Sequence, residues 1–135
     1  MRLFVYGTLR RGSWNNYRLG PSHFIGEDSF TGSIWWSHPG GIPFAKLEGT
    51  DTVHGELFEV PSTFIPGLDA LEGHPKWYKR TSVRMHKSGG EAIVYIYQGS
   101  VEGMEKVPDG RYPIHKPVDG PSAPSSASQP SATQS

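Results

Sequence analysis

Glycine and proline interrupt this chain so often that they limit what it can fold into. The 135 residues include 17 glycines and 12 prolines. The apolar runs between these residues are short. Short apolar runs bounded by turn residues favour many short strands over long helices. We therefore predict a fold built mainly of strands, on a chain with the length of one domain.

Strand patterns lie along most of the chain. Residues 3–6 form a continuous apolar run, which is typical of a buried strand. Residues 53–60 alternate between polar and apolar side chains, which is typical of a half-buried strand. Further strands are predicted at residues 22–31, 32–36, 44–47, 78–86 and 92–97. A Ser-Gly-Gly turn separates the last two, and this predicts a hairpin.

These patterns together predict the fold class. They give about five to seven strands and one or two short helices, with strands that follow one another by turns. A sheet of this kind is mixed or antiparallel, and curling into a small barrel is the simplest way to remove its edges. We predict an α+β fold, a small mixed or antiparallel β-barrel flanked by short helices.

The composition changes near the C-terminus. Residues 117–135 consist mostly of Pro, Ser, Ala, Gln and Thr, with no aromatic residue and one charge, at Asp119. Such a segment cannot bury enough apolar surface to offset the conformational entropy of the chain. We predict a folded domain over residues 1–115 and a disordered Pro/Ser-rich tail over residues 116–135.

The charge balance argues against nucleic acid as a partner. Lys and Arg together number 13, as do Asp and Glu, so the net charge is zero and no global field attracts polyanions. Arginine and tryptophan side chains could still stack on a single strand, although tryptophans in a small barrel more often line its core or a pocket. The residues considered for such a surface are Arg10, Arg11, Trp14, Trp35, Trp36 and Trp77.

Cysteine is absent, which excludes disulfides, thiol catalysis and thiolate metal sites. The six histidines are isolated and show no recognised ligand spacing, so no metal is expected. No apolar run approaches the length of a membrane span, and the N-terminus lacks the apolar core of a secretory signal. We expect a soluble, cytoplasmic protein without membrane attachment.

Residues 64–73 predict a short amphipathic helix that ends at a glycine. Leu68 and Leu71 share its apolar side, and Glu72 stands at its end, one turn after Asp69. An acid beside an apolar stripe is a candidate for partial burial, which would raise its pKa towards a useful general-base value. A solvated acid on a surface helix fits the same pattern, so the helix alone leaves both interpretations open.

The loop after the first predicted strand has a glycine at each end, Gly7 and Gly12. Such a loop can direct several backbone N–H groups towards one anion. It lacks the lysine and the glycine spacing of a P-loop. An ordinary strand-to-helix turn would have the same composition, so an anion site and a plain turn remain alternatives.

Three blocks of sequence match a known pattern when they are taken together. They read FVYGTLRRG at residues 4–12, VHGELFEV at residues 53–60, and LDALEG at residues 68–73 followed by YKR at residues 78–80. Their order and content resemble the gamma-glutamylcyclotransferase-like (AIG2-like) family, and most closely its small gamma-glutamylamine cyclotransferases. The blocks extend over most of residues 3–97, and their combination is specific where any single block would not be.

The resemblance implies a cavity between the YGTL loop and the LDALEG helix, and it implies roles for individual residues. Glu72 would be the catalytic acid and base, and Asp69 a structural part of the turn. Tyr6, Gly7, Thr8 and Leu9 would line the substrate site, largely through backbone groups, and Tyr78 would face the same cavity. The block at residues 110–112 matches the family poorly and receives no role.

The resemblance also implies a reaction. The α-amine of a gamma-glutamyl amide attacks its own γ-carbonyl and releases 5-oxoproline and a free amine or amino acid. No metal or cofactor is required, and the expected partner is a small gamma-glutamyl compound. The alternative is a non-catalytic binding module of the same fold. The leaving amine, the pathway and the oligomeric state are left open.

Overall fold

The short apolar run at the N-terminus forms the central strand of one curled sheet. The computed structural model describes residues 1–114, so the predicted tail at residues 116–135 lies outside the described residues. The strands are β1 Arg2–Val5, β2 His23–Trp36, β3 Phe44–Glu59, β4 Tyr78–Arg84, β5 Glu91–Tyr97 and β6 Glu105–Lys106. The helix α1 spans Ile65–Glu72, and 3₁₀ turns span Asn16–Leu19, Ser62–Phe64 and Pro108–Gly110.

Hydrogen bonds join the strands in the order β4-β5-β1-β3-β2-β6. The pairing of β1 with β5 is parallel, with Leu3 opposite Ile93, and the other pairings are antiparallel. The sheet curls into a half-barrel, which confirms the predicted α+β class with a mixed sheet. Because β1 has neighbours on both edges and packing on both faces, Leu3, Phe4 and Val5 are completely buried.

The alternation of side chains along the strands divides the core into two clusters. The first cluster lies on one face of the sheet and includes Phe4, Phe30, Leu57 and Val94. The second cluster lies between the sheet and α1. Its members include Leu3, Val5, Leu9, Phe58, Val60, Ile65, Leu68, Tyr78 and Tyr95. None of the helices within residues 1–114 combines the length and the apolar character needed to span a bilayer.

Strands β2 and β3 are longer than the sequence pattern predicts. The pattern divides each of them in two, whereas the structure carries them through with a register shift between Gly32 and Ser33. Gly32 pairs with Asp51 and Ser33 pairs with Lys46, so residues 47–50 bulge out of the ladder. A Cβ at Gly32 would lie 2.4 Å from the Lys46 carbonyl oxygen, so glycine permits this close approach.

The segment after β6 closes the first core cluster. The Tyr112 ring packs edge-on to Trp36 with 6.2 Å between the ring centroids. The buried Arg10 guanidinium donates hydrogen bonds to the carbonyl oxygens of Tyr112 and Pro113. Burial raises the pKa of the Tyr112 phenol to about 12. Arg10 and Trp36 are therefore buried structural residues, which agrees with the interpretation that tryptophans of a small barrel line its core.

Candidate active site

The end of α1 is fixed by the glycine that the sequence pattern identifies as its stop. Gly73 adopts a left-handed backbone conformation, with φ 66° and ψ 38°. Its N–H donates to the Ala70 carbonyl at 3.2 Å, and the His74 N–H donates to the Asp69 carbonyl at 2.9 Å. These two bonds form a Schellman turn, so the helix ends directly after Glu72.

Glu72 is buried rather than solvated. Its exposed fraction is 0%, and it lies on the inward side of α1 with Ile65 and Leu68. Its charge is one of the causes that raise the pKa of the Tyr95 phenol, so the two side chains lie close enough to interact electrostatically. The structure therefore excludes the interpretation of Glu72 as a surface acid.

Asp69, one helical turn earlier, has a different environment. The Arg80 guanidinium donates two hydrogen bonds to its two oxygens, from Nε at 3.0 Å and from Nη2 at 2.9 Å. The Tyr95 hydroxyl donates to Oδ1 at 2.7 Å. Burial by itself would raise the pKa of Asp69, but the hydrogen bonds from Arg80 and Tyr95 outweigh it and hold the pKa below its usual value. Asp69 is thus an ionised structural carboxylate.

Tyr95 connects the two acids and was not identified from the sequence. The side chain is completely buried. Burial, the hydrogen bond to Asp69, and the charges of Asp69 and Glu72 all raise the pKa of its phenol, so the hydroxyl stays a proton donor. Arg80, on β4, is engaged with Asp69. Lys79 is exposed.

The loop that follows β1 begins at Tyr6, whose side chain belongs to the first core cluster. The Tyr6 hydroxyl donates to the Tyr95 carbonyl oxygen at 2.7 Å, in a buried position. Thr8 is held by Asn15, whose N–H donates to the Thr8 carbonyl and whose Nδ2 donates to the Thr8 hydroxyl, both at 3.1 Å. The Leu9 carbonyl accepts a hydrogen bond from Asn16 Nδ2 at 2.7 Å. These contacts fix the loop backbone.

Two further contacts show how the glycine-bounded loop is used. The Gly7 carbonyl accepts hydrogen bonds from the N–H and from Nε of Arg10, at 3.2 and 2.9 Å. The Arg11 N–H donates to a Glu56 carboxylate oxygen at 2.7 Å. One loop amide therefore already binds an anionic group, which comes from β3 of the protein itself.

Tyr78 begins β4 and is almost fully buried in the second core cluster. Its hydroxyl donates to the Pro43 carbonyl at 2.9 Å, and its ring stacks on Phe44 with 6.4 Å between centroids. Tyr78 shares the cluster with Leu9 and with the inward residues of α1. The Tyr78 hydroxyl is thus bonded to the backbone, and its ring contributes to the packing of the second cluster.

The predicted residues come from separate parts of the chain, and three of them interact with different parts of Tyr95. Tyr6 bonds its backbone carbonyl from the first core cluster, whereas Asp69 and Glu72 act on its phenol. Within residues 1–114, no three histidine, aspartate or glutamate side chains are grouped closely enough to hold a metal ion. The arrangement is an enclosed carboxyl group at the end of α1, close to the Tyr95 phenol.

Asp69→Asn is expected to reduce stability at neutral pH by about 1–2 kcal/mol, because Arg80 and Tyr95 lose a charged acceptor. Because the folded-state pKa of Asp69 is lowered, its contribution is present above the unfolded pKa of about 3.9 and is lost as pH falls through the folded value. Below about pH 4, the free energy of unfolding of the variant should therefore decline less steeply than that of the wild type. Urea unfolding over a pH series measures this.

The control for this measurement is Glu102→Gln, which removes an exposed carboxylate. It is expected to leave the pH dependence of unfolding as in the wild type. If the free energy of unfolding fell equally with acid pH in the Asp69→Asn variant and in the wild type, the assigned role of Asp69 would be contradicted.

Comparison with known sequences gives a consistent result over nearly the whole described chain. Residues 3–113 match the model of the family described as gamma-glutamyl cyclotransferase, AIG2-like. The gamma-glutamylcyclotransferase family protein YtfP of Escherichia coli K12 is 31% identical over 113 residues, covering 82% of this chain and 94% of that protein. The corresponding Citrobacter rodentium protein is 32% identical over 115 residues, covering 83% and 95%.

Solved structures give the same result for the fold. An uncharacterized protein from Pyrococcus horikoshii superposes with a TM-score of 0.69 at 25% identity, covering 83% of this chain and 89% of that one. A mouse AIG2-like protein superposes with a TM-score of 0.62 at 25% identity, covering 89% and 97%. The family match at residues 3–113 includes most of β1, all of α1 and the strands between them.

Proposed function

Because the chain belongs to the gamma-glutamyl cyclotransferase, AIG2-like family, we propose that it is an enzyme that cyclises gamma-glutamyl amides. Its partner is a small molecule, and the products are 5-oxoproline and a free amine or amino acid. The observation that carries this proposal is the completely buried carboxyl group of Glu72, placed at the end of α1 close to the Tyr95 phenol. The cytoplasmic location expected from the sequence remains a prediction.

The reaction needs one new bond and one broken bond. The α-amino nitrogen attacks the γ-carbonyl carbon and closes a five-membered lactam, and the bond from that carbon to the leaving nitrogen then breaks. The α-ammonium group loses a proton before attack, and the leaving amine gains one. Holding both reacting groups in a near-attack geometry can contribute about 7–11 kcal/mol at best.

We assign both proton transfers to Glu72. A single carboxyl group can accept the ammonium proton and then donate a proton to the departing nitrogen, because the two steps occur in sequence at neighbouring atoms. The burial of Glu72 supports this assignment, since a carboxyl group removed from water interacts strongly with charges that develop beside it. General acid–base catalysis of this kind contributes roughly 10²- to 10⁴-fold.

Asp69 is not suited to the same role. Its oxygens accept hydrogen bonds from Arg80 and Tyr95, and its pKa is lowered. A carboxylate held in this way is a weak base, because proton uptake would weaken the charge-assisted bonds that it accepts from Arg80 and Tyr95. The different environments of the two acids therefore support a division of labour, in which Asp69 orients the helix and Glu72 transfers protons.

We assign substrate binding to Tyr6, Gly7, Thr8 and Leu9, with the ring of Tyr78 as part of the wall. The hydrogen bonds that fix the Thr8 and Leu9 carbonyls support this assignment, because a rigid loop can orient a bent substrate at little entropic cost. Backbone N–H groups of the loop are suitable donors to the substrate α-carboxylate or to the developing oxyanion.

A substrate panel tests the proposal. The compounds are gamma-glutamyl-ε-lysine, simple gamma-glutamyl amines, gamma-glutamyl dipeptides and glutathione, each assayed for 5-oxoproline by mass spectrometry. We expect release from at least one class, and the preferred class identifies the leaving group. Absence of 5-oxoproline from every compound, together with saturable binding of a gamma-glutamyl compound, would replace the enzyme with the non-catalytic binding module.

A further inference from the structure

A groove on the outer flank of α1 is separate from the buried end of the helix. It has a volume of about 420 Å³ and lies between α1 and the 3₁₀ turn at Asn16–Leu19. A volume of this size suits a small molecule rather than a macromolecule. Its lining residues are Tyr17, Arg18, Thr63, Phe64, Gly67, Leu68 and Leu71.

The walls of the groove are mostly apolar. Tyr17 is 68% exposed, which is unusual for a large ring on a small domain. Phe64 and Leu71 are half-buried and contribute apolar surface beside it. The chemistry of the walls therefore suits a ligand with an apolar or aromatic body.

Arg18 supplies the single positive charge in this lining and is held in position. Its Nε donates to Asn15 Oδ1 at 2.8 Å, and its guanidinium lies 5.2 Å from the centroid of the Tyr17 ring. Asn15 is itself buried and fixed by its two bonds to Thr8. Among residues 1–114, no carboxylate lies within ion-pair distance of Arg18. The guanidinium is oriented by a neutral partner and its charge is not neutralised.

Gly67 keeps the groove open. It lies within α1, where glycine costs about 1 kcal/mol relative to alanine. A Cβ added at this position would meet no atom within 4 Å, so no steric contact requires glycine there. Because Gly67 lines the groove, we expect a larger side chain at this position to occupy part of it.

We propose that this groove binds a small carboxylate that has an apolar or aromatic body. The body packs between Tyr17, Phe64 and Leu71, and the carboxylate accepts hydrogen bonds from the Arg18 guanidinium. Charge complementarity selects an anion, and the apolar walls select a hydrophobic body over a fully polar one such as citrate. The proposal is independent of the chemistry at Glu72.

The test uses 3-phenylpropionate as the probe and its neutral analogue 3-phenylpropanamide as the matched comparison, with affinity measured by NMR titration of the full chain. We expect the wild type to bind the acid at least about tenfold more tightly than the amide, because a hydrogen bond to a charged group adds about that factor. Arg18→Gln should remove the difference between the two ligands while the amide still binds.

Gly67→Leu places a side chain in the groove and should abolish binding of both ligands. Gly67→Ala serves as a folding control for this position, because alanine favours the helix. Arg84→Gln removes an exposed arginine on β4 and should leave both affinities unchanged. Equal affinity of the wild type for the acid and the amide would overturn the proposal, as would no saturable binding at millimolar concentrations. Binding that survives both Arg18→Gln and Gly67→Leu would do the same.

Discussion

Glu72→Gln is expected to abolish the release of 5-oxoproline from the best substrate of the panel, with a loss of at least about 10²- to 10⁴-fold. Glutamine has nearly the same shape as glutamate but can neither accept the ammonium proton nor return one to the leaving amine. Because the side chain is completely buried, the new amide can cost about 1–3 kcal/mol of stability. The rate is therefore measured well below the melting temperature of the variant.

Two companion variants separate a chemical effect from a structural one. Glu48→Gln changes an exposed glutamate in the bulge of β3 and should keep the wild-type rate. Glu72→Asp keeps the carboxyl group but shortens the side chain by one methylene. A displacement near 1 Å can lower the rate about 10²-fold. Wild-type turnover by a folded Glu72→Gln protein would refute the catalytic assignment.

Gly55→Ala is expected to lower the free energy of unfolding by about 3 kcal/mol or more, through overpacking between β1 and β3. A Cβ at Gly55 would lie 2.2 Å from the Val5 carbonyl oxygen and 2.7 Å from the Phe4 ring. The carbonyl belongs to a strand that is hydrogen-bonded along both edges, so it cannot move without disturbing the sheet. We expect the melting temperature to fall by about 10 °C.

The loop at Tyr6 follows Val5 directly, so Gly55→Ala should also reduce turnover in the fraction that stays folded. The matched control is Gly26→Ala on β2, where an added Cβ meets no atom within 4 Å. This control should change stability by no more than about 0.5 kcal/mol. Equal melting curves for the two alanine variants would show that the close approach at Gly55 does not affect the free energy of unfolding.

Local signals in the sequence are sufficient for the elements that begin and end within a few residues. The helix predicted at residues 64–73 is observed as Ile65–Glu72, because the apolar spacing and the Gly73 stop act over single turns. The hairpin predicted from the Ser-Gly-Gly turn is observed as β4 and β5. The burial of Glu72 agrees with its position beside Leu68.

Other features depend on partners that are distant in the sequence. Gly32 looks like a break between two strands, and only its pairing with β3 shows that the strand continues through a bulge. Tyr95 has the pattern of an ordinary strand residue, and its role arises from Asp69, 26 residues away. The charge of Arg80 alone suggests a solvated side chain, whereas the structure pairs it with Asp69. Both residues belong to the third sequence block, and their place in one block was the signal that could have indicated this pairing.

The parallel pairing of β1 with β5 has a consequence for the order in which the chain can assemble. β1 precedes the other described strands in the chain, yet its two neighbours in the sheet are β3, which ends at Glu59, and β5, which begins at Glu91. The hairpins β2–β3 and β4–β5 can each close locally, whereas β1 joins them only when nearly the whole domain has left the ribosome. The strand that leads into the YGTL loop is thus made before both of its neighbours, and the surroundings of the candidate site are complete only after β5 has been made.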